Sequence, residues 1–281
     1  MKMDQLNLGS ITITWLCGGN FELDGGTMYG AVPKTLWQDK YPADDENYIK
    51  MLNAPLLVQT ERHNLIIDTG LGNKLTEKQQ QIFRVYKPWS IPEDLKQIGL
   101  QPEDIDYVLL THGDFDHAGG VIMTDDHGNN SLTFPDAIHV IQDIEWYDIN
   151  HQNSRSAHTY WPNNFTGLEP GRNLDLVRGD KEIVPGVYVR LTGGHTRGHQ
   201  LVEINGSEGC AVHLGDVLPT HTHTNPLWIM AYDNFPLELI DQKEKLLPRY
   251  QAQNCWFTFY HDIYMKACRI DERGSVIQHL P

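Results

Sequence analysis

The sequence predicts an α+β fold, two mixed β-sheets packed on one another with helices outside. Three observations predict it. Short apolar runs rich in β-branched residues come in series, each series leads into an amphipathic helix, and that order occurs twice along the 281 residues. The length and 40% hydrophobic content suffice for one large domain or two small ones. No repeat, low-complexity tract or linker divides the chain, so residues 1–281 read as one domain.

Residues 11–17 form the first expected strand. Residues 56–60 and 65–68 are two antiparallel strands turning through "ERHN". "SIPEDLKQIGL" is a helix, with Ser90 as cap, Glu93 completing a capping box, Pro92 in the first turn and Gly99 at the exit. "IDYVLL" is a buried strand by its apolar continuity. "AIHVIQ" is another, followed by a helix over about 143–150. Strands over 187–191, 201–204, 210–214 and 255–259 build the second half. A helix over 237–247 is expected to stop at Pro248. Two stretches lack a period: an N-terminal excursion, 18–50, and a polar, aromatic middle excursion, 151–180, which reads as a surface segment or lid.

The formal net charge of −15 argues against a nucleic-acid backbone or an anionic membrane as partner. No apolar stretch approaches the length of a membrane span, and the N-terminus lacks a long apolar segment of the signal-peptide kind. Cys17, Cys210, Cys255 and Cys268 contain no C-x-x-C pair and lie in or beside apolar runs. They are expected as reduced, mostly buried thiols of a cytoplasmic protein.

The chemistry concentrates in "LLTHGDFDHAGG". His112, Asp114, Asp116 and His117 follow a strand end, where alternate residues point the same way. His112 and Asp114 can therefore face one cation, and Asp116 and His117 a second beside it. Three later strand ends each deliver one more ligand-type residue: His195 in "TGGHTRGH", Asp216 in "AVHLGD" and His261 in "FTFYHD". The seven suffice for two ions sharing a bridging carboxylate.

These motifs resemble the metallo-β-lactamase-fold hydrolases. The residues carrying the likeness are the H-x-D-x-D-H run, "GHTRGH", the strand-borne Asp216, the late His261 and the "IDTG" segment at 67–70. "GGNFELDGGTMYGAVPKTLW" and "GDVLPT…WIMAYD" resemble more narrowly the branch holding quorum-quenching lactonases and methyl-parathion-hydrolase-like enzymes. The resemblance implies a four-layer αβ/βα sandwich and two divalent metal ions, zinc by family habit. It implies that His112 and His195 bind one metal, that Asp116, His117 and His261 bind the other, and that Asp216 bridges. Asp68 and His199 would support the site through hydrogen bonds.

Asp114 departs from the pattern, which usually carries His at that position. Either the carboxylate replaces the imidazole as ligand, or it is displaced and one site is weak. The ligand reading is preferred, because every other position is intact and carboxylates bind such ions. Two divalent ions, three carboxylates and a bridging hydroxide sum to zero charge. Such a centre is expected to shift preference from zinc toward iron or manganese.

The function this implies is hydrolysis by a bridging hydroxide at a dinuclear centre, opening a lactone or cleaving a related ester, with Asp116 relaying the proton. Alternatives on the same centre are a phosphotriesterase-like hydrolase, a di-iron oxidoreductase, for which no flavin-binding segment is evident, and a non-catalytic binding protein. Related lactonases often carry Tyr three residues after the bridging Asp, where Pro219 stands. The expected partner is a small-molecule substrate, against a pocket wall drawn from Met28, Tyr29, Trp37, Trp161, Phe165, Trp228 and Tyr232. Core or homodimer packing would account for the same aromatics. His221 and His223 read as ordinary loop residues.

Overall fold

A computed structural model describes residues 3–281. The first sheet has seven strands, in spatial order Gln5–Asn7, Thr12–Trp15, Leu56–Gln59, Asn64–Ile67, Tyr107–Leu109, Ile138–Gln142 and Leu174–Val177. Its early strands pair antiparallel, and Asn64–Ile67 onward run parallel. The second sheet also has seven: Lys181–Val184, Val187–Leu191, Gln200–Gly206, Gly209–His213, Trp256–Thr258, Ala267–Ile270 and Val276–Leu280. It is antiparallel except where Gly209–His213 meets Trp256–Thr258. Both sheets are mixed, as the sequence predicts.

Alternation decides the layers. Ile13, Leu56, Val58, Leu65 and Ile67 face inward from the first sheet, against Val187, Val189, Val202 and Ile204 of the second. The opposite face of the first sheet packs on the helices Ile91–Gln97 and Asp143–Asn150 through residues such as Leu95 and Ile149. The opposite face of the second packs on the helix Pro236–Ala252 through Leu239, Leu246 and Tyr250. The order is helix, sheet, sheet, helix. Among the described residues, no helix is long and apolar enough to cross a membrane.

Several local expectations are corrected. The helix over 237–247 does not stop at Pro248 but runs on to Ala252. Pro248 lies on its exposed face, and the next turn is anchored by buried Tyr250, whose hydroxyl donates to Glu203 at 2.8 Å. Proline's missing N–H therefore frees only the carbonyl of exposed Glu244. The capping box at Ser90 does not form; the helix is there, without a side-chain cap. Within 151–180, Leu174–Val177 is an edge strand, and Tyr160, Phe165 and Leu168 are buried against the helix layer. The edge strands Gln5–Asn7 and Val276–Leu280 lay outside the expected set, because they are short and largely exposed, without an apolar period.

The thiol expectation fails for one pair. Cys210 and Cys255 are joined in a disulfide, with Cα atoms 4.7 Å apart. The parallel register that sets Ala211 beside Trp256 brings the preceding residues together across the ladder. A separation of 45 residues hides that neighbourhood from the sequence. Cys17 and Cys268 are free and buried. With one pair bonded, the cysteines do not mark the chain as belonging to a reducing compartment.

Candidate metal centre

The parallel strand Tyr107–Leu109 ends in the loop that carries His112. The chain then turns into a short helix, Phe115–Ala118, closed by Ala118 N–H donating to Asp114 O at 2.9 Å. Asp114 occupies the N-cap position, yet its side chain makes no capping bond. Its carboxylate turns instead toward imidazoles, with Oδ2 3.6 Å from His112 Nε2 and 3.4 Å from His195 Nε2.

Two triads result. His112, Asp114 and His195 form one group that could hold a metal ion; Asp116, His117 and His261 form another. Asp216 stands between them. Its Oδ2 is 3.5 Å from His195 Nε2, and its Oδ1 is 3.2 Å from His117 Nε2 and 3.3 Å from His261 Nε2. Asp116 Oδ2 lies 3.8 Å from His117 Nε2 and 3.7 Å from His261 Nε2. All seven residues singled out in the sequence thus converge in one cluster, from beyond strand ends of both sheets.

The four imidazoles are aimed alike. Each turns Nε2 inward and anchors Nδ1 outside. His117 Nδ1 bonds Asp68 Oδ2 at 2.9 Å, His195 Nδ1 bonds Asp233 Oδ1 at 2.8 Å and His261 Nδ1 bonds the Leu52 carbonyl at 2.8 Å. His112 Nδ1 bonds Thr111 Oγ1 at 3.0 Å, and that hydroxyl donates to Asp68 Oδ2 at 2.8 Å. Asp68 also accepts from Thr111 N–H at 2.7 Å, so one carboxylate orients an imidazole of each triad. It holds the left-handed backbone, φ 56°, at the end of its strand.

Inside, Nε2 of His112, His117 and His195 and Oδ1 of Asp114 and Asp216 are buried without a hydrogen-bond partner. Each such atom costs about 1–3 kcal/mol unless something satisfies it. Burial disfavours every charge here, and mutual pairing outweighs it. His112 and His195 hold Asp114 well below the usual carboxylate range, and His117 and His261 do the same for Asp216. Asp216 and Asp116 raise His117; Asp114 and Asp216 raise His195. Carboxylates and imidazole nitrogens converging on shared, unsatisfied space are a donor set suited to divalent cations.

His199 stays outside both triads. Burial, then the charges of His112 and His195, push its pKa down, so it is neutral. Its Nδ1–H donates to Thr192 Oγ1 at 2.6 Å, and its Nε2 accepts from Asp216 N–H at 3.3 Å. Gly215 permits that approach: at φ 51°, a Cβ there would meet His199 Nε2 at 2.7 Å. His221 pairs with Asp262 and His223 is bonded to Thr220 and the Met28 carbonyl, so both lie outside the two triads. Pro219 contributes its carbonyl, which accepts from His261 N–H at 3.2 Å.

A cavity of about 220 Å³ opens over Asp114, Asp116, Asp216, His195 and His261. Of the expected wall, Met28 and Tyr232 line it. Tyr29 and Trp37 are buried behind it, stacked 4.7 Å apart, with Trp228 edge-on to Tyr29. Trp161 stacks behind Phe115, and Phe165 belongs to the core. Sequence reasoning missed Phe21, Leu23, Phe83, Phe115, Met230, His158 and Thr159 as lining residues. It also gave no role to Asp233, Thr111 or Glu145. Asp233 closes the "WIMAYD" stretch but carries no local mark of its contact with His195.

A helix–sheet–sheet–helix sandwich with a carboxylate–imidazole cluster at its strand ends defines a metallohydrolase scaffold. The profile of the metallo-beta-lactamase superfamily matches residues 53–249, and the chain belongs to that superfamily of hydrolases. It is 42% identical to a probable metal-dependent hydrolase from Staphylococcus aureus, covering 98% of each chain with a TM-score of 0.92. It is 27% identical over 236 residues to an N-acyl homoserine lactonase of Bacillus thuringiensis, covering 79% of this chain and 87% of that one. The dizinc quorum-quenching lactonase AidC shares the fold, with a TM-score of 0.79 at 20% identity over 99% of this chain and 97% of that one.

Proposed function

We propose that the protein is a lactonase that opens the ring ester of a lactone carrying an apolar substituent, at a two-metal centre. The observation that carries this reading is the cavity over the paired triads. Phe21, Leu23, Met28, Phe83, Phe115 and Met230 give it an apolar wall, and no Lys or Arg lines it among the described residues. Such a wall suits an acyl chain and offers nothing to a phosphate monoester or nucleotide. The likeness to N-acyl homoserine lactonases supports the same class.

His112, Asp114 and His195 would hold one ion and Asp116, His117 and His261 the other, with Asp216 serving both. Two divalent cations bound there supply the acidity that makes water a nucleophile at neutral pH and a Lewis-acid pull on the ester carbonyl. The protein does the rest. The apolar wall seats the substituent and leaves the ring ester over the carboxylates of Asp114, Asp116 and Asp216. Asp116 lies at the cavity floor, where its carboxylate carries a proton toward the departing alkoxide. Tyr232, bonded to Thr27 Oγ1 at 2.8 Å, closes one side. From the segments 18–50 and 151–180, Phe21, Leu23, Met28, His158 and Thr159 reach the cavity. Asp114 makes a third carboxylate of the set, which favours iron or manganese over the zinc expected from related enzymes.

The test is metal-reconstituted protein assayed on acyl-homoserine lactones, aryl esters and a phosphotriester, with EDTA as control. Lactone opening that EDTA abolishes and added metal restores is expected. Tight lactone binding without turnover would overturn the reading.

A further inference from the structure

Glu145 lies in the helix Asp143–Asn150, a segment that contributes nothing to either triad, and it is fully buried. Its carboxylate accepts four hydrogen bonds. Oε1 accepts from Gly113 N–H at 2.9 Å and from the Tyr160 hydroxyl at 2.7 Å. Oε2 accepts from Thr196 Oγ1 at 2.8 Å and from Gly198 N–H at 3.0 Å. Gly113 separates His112 from Asp114, and Thr196 follows His195. One side chain therefore grips both loops that deliver the first triad. The loops are seated closely on this helix: a Cβ at Gly198 would meet Glu145 N at 2.5 Å, and one at Gly113 would meet Ile149 Cδ1 at 2.6 Å.

We infer that Glu145 is the positioning residue of the His112–Asp114–His195 metal position, and that through Tyr160 it ties this position to the cavity wall. The inference rests on the two-metal reading. Tyr160 immediately follows His158 and Thr159, which line the cavity. None of the four bonds is made by the short helix Phe115–Ala118 or by the strand end that carries His261, and two of them hold the loop of His195, so the clamp acts mainly on one position. A carboxylate is required rather than an amide. Each of its two oxygens faces one backbone N–H as well as one hydroxyl. A hydroxyl can turn to accept from an amide, but a backbone N–H cannot. Whichever oxygen of Glu145 became NH₂ would confront Gly113 N–H or Gly198 N–H, leaving a buried donor without a partner.

The experiment strips wild-type protein and Glu145→Gln of metal and titrates each with Co²⁺, followed by the visible spectrum and by elemental analysis after dialysis. Uptake of two equivalents by the wild type tests the two-metal reading itself; uptake of none removes that reading, and the clamp with it. With two bound by the wild type, Glu145→Gln is expected to keep one tight equivalent and to bind the other about 10–100-fold more weakly. The retained ion should show the spectrum found in Asp114→Ala. Two equivalents held as tightly as in the wild type overturn the clamp, and so does equal weakening of both. If circular dichroism shows Glu145→Gln unfolded, Thr196→Val removes one of the four donors at nearly constant shape. A several-fold weakening at the same position is then expected, and unchanged affinity overturns the inference.

Discussion

On one side of Asp216, His112, Asp114 and His195 stand on loops. They are held by buried side chains: Thr111 and Asp68 behind His112, Asp233 behind His195, and Glu145 gripping the loops themselves. On the other side, Asp116 and His117 lie in a short helix and His261 just past a strand. There Asp68 Oδ2 bonds His117 Nδ1 directly at 2.9 Å, and contacts to the main chain do much of the rest. His261 Nδ1 bonds the Leu52 carbonyl, Thr69 N–H donates to the His117 carbonyl at 2.6 Å, and the Tyr260 hydroxyl donates to the Asp116 carbonyl at 2.8 Å. The strands leading to Asp216 and His261 are stapled by the Cys210–Cys255 disulfide. The first position therefore depends on three buried carboxylates, Asp68 (through Thr111), Asp233 and Glu145, and the second on Asp68 directly together with contacts to the main chain. Substitution of Asp233 or Glu145 should therefore detach the first without the second.

The largest effect is expected where the two positions meet. Asp216→Ala should release metal from both and lower hydrolysis by at least about 10³-fold, measured by elemental analysis and steady-state kinetics. A variant that keeps two tight equivalents would break the idea of a shared bridge. Next come two second-layer carboxylates that separate the halves. Asp68→Asn should weaken both positions by about 10–100-fold, because Asp68 serves His117 directly and His112 through Thr111. Asp233→Asn should cost a similar factor at the first position alone, since it contacts only His195 among the imidazoles. Identical losses from the two variants would erase the contrast.

Asp114→His tests the chemistry of the first position rather than its support. Zinc content should stay or rise, iron and manganese should fall, and the melting temperature should hold; loss of all metal would contradict a ligand role. The smallest effect on the centre is expected from reducing Cys210–Cys255, which closes a loop of 45 residues. Stability should fall by about 2–4 kcal/mol, read as a lower melting temperature with reductant, while metal content is kept. Mass spectrometry of unreduced peptides checks the bond itself.

The regular strands were legible because their apolar residues cluster at short range: Leu56–Gln59 and Asn64–Ile67 are apolar runs on either side of a turn, and Ile138–Gln142 runs straight into its helix. The seven converging residues were legible for a related reason, since each is a ligand-type side chain just after an apolar strand. Pro248 misled because the rule that proline ends a helix is local, while the anchor of the next turn, Tyr250 on Glu203, lies 47 residues away. The cavity wall was legible only in small part. Met28 and Tyr232 reach the cavity, but Tyr29 and Trp37 carry the same aromatic character and pack inward.

The sequence by itself determined the strand–helix order, the mixed sheets and the identity of the side chains at the candidate centre, because periodicity and residue chemistry are local properties. Tertiary structure alone decided which carboxylate stands behind which imidazole, which aromatics face the cavity and which cysteines meet. Those are contacts between distant segments. They are fixed by sheet register and helix packing, which set neighbours in space without leaving a mark on the residues nearby in the chain.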